Sequence, residues 1–65
     1  MNLQHLARQL DQKGWVIGWG PNFAWFEARR LDSTVAYMFE LESQTVVAFK
    51  DKGAGWEELK ILPKL

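Results

Sequence analysis

The apolar period of this chain changes at Gly14, and that change sets what it can fold into. Before it, Leu3, Leu6, Ala7 and Leu10 fall at i, i+3, i+4 and i+7, one stripe of a helix. After it, apolar residues recur at every second position, the period of a strand with one buried face. Asn2 precedes the stripe as an N-cap. Gly14 stands where a left-handed residue closes a helix. The spacing predicts a helix over residues 2–13 and strands over about 15–19, 23–30, 34–42 and 45–51.

The connections are short. Gly20-Pro21-Asn22 is strong turn chemistry, and Leu31-Asp32-Ser33 is a second turn. Ser43-Gln44 reads as a two-residue hairpin turn, although it lacks the Asn-Gly pair such turns favour. Gly53-Ala54-Gly55 breaks the pattern again. The tail over 56–62 is open to two readings: Glu57, Glu58, Leu59 and Lys60 favour helix, while Trp56, Leu59, Ile61 and Leu62 suit an edge strand. Pro63 ends either one. Short connections make neighbouring strands antiparallel. The expected fold is therefore α+β, an N-terminal helix packed on one face of a four- to five-stranded antiparallel meander, with residues 1–65 as a single domain.

Pairing the strands through these turns sets Trp19 opposite Phe23, Trp25 opposite Phe39, and Leu41 opposite Val46. One face then collects Trp15, Ile17, Trp19, Phe23, Trp25, Val35, Tyr37, Phe39, Leu41, Val46 and Ala48. The other is mixed, but it aligns Val16, Phe26, Met38 and Phe49 in one row across four strands. The helix covers one face only. The heavier apolar face is the preferred choice, because burial contributes roughly 25 cal/mol per Å². A rival arrangement packs the helix on the small residues Gly18, Ala24, Ala28 and Ala36. A third curls the sheet into a small barrel.

Composition narrows the function. A chain of 65 residues buries a modest core, and with no cysteine it has no disulfide to reinforce it. Eight Lys plus Arg balance eight Asp plus Glu, so the totals lack the basic field of a nucleic-acid binder. Residues 1–10 contain His5 and Arg8 and lack the apolar core of a signal peptide, and no apolar run is long enough to span a bilayer. Cysteine-free composition fits a cytoplasmic protein.

Catalytic constellations are not legible. His5 lies off the apolar stripe, where a solvated histidine is the ordinary reading, and no partner or pocket marks it as a general base. Ser33 and Ser43 sit in turns, outside any nucleophile-elbow pattern. Glu40 and Glu42 share a strand face at about 7 Å, a spacing strands offer often. The Gly18–Gly20 and Gly53–Gly55 pairs lack the Gly-Lys-Ser/Thr of a phosphate loop. No cofactor and no metal is implied.

The stretch Leu6-Ala7-Arg8-Gln9-Leu10 through Lys13-Gly14-Trp15-Val16 resembles the opening of HicA-type toxin ribonucleases, which begin with a helix, a Gly-Trp and a strand pair. The resemblance implies a helix running into a strand. That family's catalytic histidine sits in a Gly-Ser/Thr-His motif after the first strand. Here the same stretch reads Gly20-Pro21-Asn22-Phe23, so the activity does not carry over.

The expectation is a non-catalytic protein-binding or adaptor module, meeting another protein or a second copy of itself through an apolar sheet surface. The expected contact residues are Phe26, Met38 and Phe49, with Val16 and Val47 beside them and Arg30 and Glu40 on the rim. The alternative is single-stranded nucleic-acid binding through sheet-surface aromatics, ranked lower because Glu40, Glu42 and Asp51 would repel phosphates. A small enzyme ranks last.

Overall fold

A computed structural model describes residues 2–65; the expected domain span also takes in Met1, which lies outside the described residues. Helix α1 runs Leu3–Gln12, followed by β1 (Val16–Trp19), a 3-10 turn (Pro21–Phe23), β2 (Trp25–Arg29), β3 (Ala36–Glu42), β4 (Thr45–Asp51) and β5 (Trp56–Leu59). The five strands form one open sheet in chain order, each antiparallel to the next. The α+β class and the meander are as the sequence predicts. The tail resolves to the edge strand β5 instead of a helix.

Local chemistry closes the helix at both ends. The Asn2 side chain accepts from the His5 backbone N–H at 2.7 Å. At the other end Gly14 takes φ +94°, its N–H donates to the Asp11 carbonyl at 3.1 Å, and the Trp15 N–H donates to the Leu10 carbonyl at 3.0 Å. This Schellman arrangement satisfies carbonyls the helix leaves free, and Leu10 and Trp15 complete it by packing in the same core.

The helix lies on the heavy face, across β1, β2 and β3. Leu3, Ala7 and Leu10 pack with Trp15, Phe26, Ala28, Phe39 and Ala48. The C-terminal tail runs beside the helix. Leu65 packs against the core, and the Lys13 ammonium donates to the Leu65 carbonyl at 2.9 Å. Phe26 and Phe39 are the largest fully buried side chains, stacked at 5.1 Å with 24° between the rings. Trp19 packs on Phe26 at 5.1 Å, and Trp15 meets Tyr37 edge-on at 5.7 Å.

This core corrects the expected register of β2. Trp19 pairs with Phe26 rather than Phe23, and Phe26 rather than Trp25 pairs with Phe39. The cause is turn length. The expected turn between β1 and β2 held three residues. In the structure the Gly20 N–H donates to the Trp25 carbonyl at 2.9 Å, which encloses the four residues Pro21–Ala24. Asn22 and Phe23 both take φ +56° there. Changing an odd turn to an even one exchanges the two faces of the strand that follows. The β2–β3 connection also departs from expectation: Arg29 pairs with Ala36, leaving 30–35 between them. This second change of parity restores β3 and β4 to their expected faces. The expected pairing Leu41–Val46 is found.

The rival placement of the helix on Gly18, Ala24, Ala28 and Ala36 does not hold: Gly18 and Ala36 lie on the sheet face away from α1, and of that set only Ala28 enters the helix-side core. The helix sits on the heavy face of β1 and β3, and the flipped β2 offers it Phe26 and the small Ala28, both fully buried. The rings supply area and the alanines let α1 approach closely.

The Ser43-Gln44 turn is present, with both residues at positive φ (49° and 66°) between the paired Glu42 and Thr45. This is the conformation that Asn-Gly fills without strain. The β4–β5 turn is held by Asp51, whose Oδ1 accepts from the N–H groups of Gly53 (2.7 Å) and Gly55 (3.2 Å).

Two predictions test this architecture. Phe26→Ala should cost about 3–5 kcal/mol in urea unfolding, against about 1 kcal/mol for Phe49→Ala on the opposite face; equal losses would contradict the register. Replacing Ser43-Gln44 by Asn-Gly should raise the unfolding free energy by about 1 kcal/mol, since it relieves two non-glycine left-handed residues.

Candidate functional site

The sheet face away from α1 is composed by the register. Side chains alternate along each strand, so this face carries Val16 and Gly18 from β1, then Trp25, Glu27 and Arg29 from β2. It continues with Ala36, Met38, Glu40 and Glu42 from β3, Thr45, Val47, Phe49 and Asp51 from β4, and Trp56 and Glu58 from β5. No helix covers it among the described residues.

Its centre is the directly paired Met38 and Phe49, both partly buried. Val47 lies one step along β4 from Phe49, and Trp25 and Trp56 lie on flanking strands. Carboxylates surround the pair. Glu27 neighbours Met38 from β2, Glu58 neighbours Phe49 from β5, and Glu40 and Asp51 are the next same-face residues along β3 and β4. An apolar centre within an acidic ring is unlike the scattered polar surface of an ordinary solvent-facing sheet.

Trp25 is positioned by Gly20. A Cβ at Gly20 would overlap the Trp25 indole, so only glycine lets the ring lie there. Gly18 is the reverse case: no atom lies within 4 Å of where its Cβ would be. The face therefore has an open notch at β1, beside Trp25 and Glu27.

The expected contact residues divide. Met38, Phe49, Val47, Val16 and Glu40 all lie on the open face, with Val16 half exposed at 54%. Val16 is not in the row of Met38 and Phe49; it heads the row Arg29, Ala36, Asp51, Trp56. Phe26 belongs to the core at 0% exposure and leaves the candidate surface. Arg30 leaves it too: its guanidinium lies 5.0 Å over the Trp15 ring, on the helix side, and approaches Asp32 at 3.8 Å. Both corrections follow from the β2 register. The same exchange brings in Trp25 and Glu27, and the resolved tail adds Trp56 and Glu58. The even spacing of Trp25, Glu27 and Arg29 marks them as one face of a strand, but spacing does not say which face.

The electrostatics are one-sided. The strand positions of the open face hold five carboxylates (Glu27, Glu40, Glu42, Asp51, Glu58) and one cation, Arg29, so seven of the eight Lys plus Arg lie elsewhere. Glu27 is paired with Arg29 at 3.2 Å, and Asp51 is occupied by its turn. Glu40, Glu42 and Glu58 carry no ion pair among the described residues. Glu42 feels the crowding. A hydrogen bond shared with Glu40 holds its carboxyl above the ordinary value, with desolvation and the Glu40 charge adding to the effect.

Elsewhere the chemistry is sparse. His5 is exposed in the first helical turn. The Ser33 hydroxyl accepts from the Val35 N–H at 3.1 Å, a turn role. Among the described residues no group of three His, Cys, Asp or Glu converges as a metal site, and no helix is long and apolar enough to cross a membrane. A shallow groove between α1 and β1 is lined by Arg8, Asp11, Ile17, Trp19 and Phe23. No family model matches the chain, and no curated protein or solved structure matches it significantly.

The Glu40–Glu42 contact has a measurable consequence. Because folding raises the Glu42 pKa above its ordinary value of 4.5, the folded chain binds the proton more tightly, and stability falls as pH rises through that range. Glu42→Gln keeps a donor to Glu40 and removes the titration. Denaturation midpoints of variant and parent should show the parent losing stability upward from about pH 4.5, with the variant lacking that decline.

Proposed function

We propose that this chain is a small non-catalytic protein-binding module that docks its partner on the open face of its sheet. One observation carries the reading: Trp25, Met38, Val47 and Phe49 lie together on a sheet face that no other element covers among the described residues. Burial of such a patch is favourable whenever a complementary surface is offered. The sheet and the stacked core behind it provide a rigid base, so docking costs little ordering entropy. Single-stranded nucleic acid fits this surface poorly, because the aromatic positions lie among carboxylates that repel phosphate. The cysteine-free chain suits a reducing compartment such as the cytoplasm.

A photo-crosslinking side chain at position 49 tests the reading. In cells it should give one discrete adduct that is lost when Met38→Asp is added, while the same probe at Gln9 on the exposed side of α1 gives none. Equal labelling from both positions, or an adduct indifferent to Met38→Asp, would overturn it.

A further inference from the structure

We infer that the occupant of the open face is a cationic amphipathic helix of a different protein. The inference rests on the docking reading and deepens it by naming the partner's chemistry.

The charge distribution selects the sign. The apolar pair Met38–Phe49 has a carboxylate beside it on each side: Glu27 and Glu58 across the strands, Glu40 and Asp51 along them. A ligand that fills the apolar centre must pass its flanks over these groups. Lysine and arginine flanks gain there, and acidic flanks are repelled. Glu40, Glu42 and Glu58 are the groups left without an ion pair among the described residues, so they are free to receive a cation.

The same distribution disfavours a second copy docked face to face. A two-fold dimer would set five carboxylates and one arginine against an identical set. Like charges opposed across an interface repel and suppress the wrong partner.

The shape favours a helix. Five strands at about 4.8 Å spacing make a face roughly 20 Å across, which a helix of about 14 residues crosses at 1.5 Å per residue. The opposite face already takes a helix: α1, of 10 residues, packs across β1, β2 and β3. The occupant needs an apolar stripe at i, i+3, i+4 and i+7 flanked on both sides by basic residues. The empty notch at Gly18 leaves room for one of its larger side chains.

The test adds a synthetic helical peptide of leucine and lysine at this spacing, about 14 residues long, to the intact chain. The Met38 methyl and the Trp25 and Trp56 indole NMR signals should shift, while those of Trp15 on the helix side stay. The matching peptide with glutamate for lysine should leave all of them unmoved. Glu40→Lys with Glu58→Lys should weaken binding by about tenfold or more at low salt. The neutral Glu40→Gln, Glu58→Gln pair should give a smaller loss in a chain whose surface shape is unchanged. Equal binding of the acidic peptide, shifts confined to the helix side, or affinity unaffected by charge reversal would overturn the inference. So would sedimentation of the free chain as a dimer abolished by Phe49→Asp. The crosslink from position 49 separates the two readings. An adduct that survives Glu40→Lys, Glu58→Lys overturns the basic helix and leaves docking standing; no adduct from the unsubstituted chain removes docking itself.

Discussion

The contact on which the rest of the molecule depends is the stack of Phe26 on Phe39 beneath the helix. It joins two neighbouring strands at one level, and Trp19 extends it to a third. A one-residue slip of β2 would carry Phe26 into water and turn Glu27 toward the apolar core. An unpaired buried carboxylate costs several kcal/mol. A small domain has little stability to spare, so the register is held by a penalty on each side of it.

The open face is the consequence of that stack. With Phe26 inward, Trp25, Glu27 and Arg29 must point outward, because the strand period is two. The same alternation puts Met38 and Phe49 outward while Phe39 and Ala48 are buried. Core and candidate surface are therefore two readings of one register. The acidity of the surface has the same origin: the polar positions that keep the strands from being buried on both sides are mostly carboxylates here, and all the basic residues but Arg29 lie elsewhere.

Much of the fold was legible locally. The helix and both of its ends followed from Leu3 to Leu10, Asn2 and Gly14, since caps and stripes depend on residues a few positions apart. The β3–β4 hairpin was legible because Ser43-Gln44 leaves only one way to pair Leu41 with Val46. The tail was not, because Trp56 to Lys60 suit helix and strand alike and pairing with β4 decides between them. Of the candidate surface, Met38, Phe49, Val47, Val16 and Glu40 were placed from sequence. Phe26 and Arg30 were misplaced, and Trp25 was assigned to the core, all through one turn.

That turn marks the boundary between what the chain alone determines and what the tertiary structure decides. The sequence by itself determined the change of period at Gly14, the antiparallel meander, and the even spacing that sorts each strand's residues into two sets. It did not determine which set of β2 faces the helix. Gly20-Pro21-Asn22 announces a turn without stating its length, and a three-residue and a four-residue closure differ by one residue and by opposite faces. The choice fell to contacts between residues distant in sequence: Phe26 against Phe39 and Trp19, Ala28 beneath α1, and Trp25 over Gly20. Burial is a property of the assembled sheet, and only there do the two sets of β2 differ in free energy.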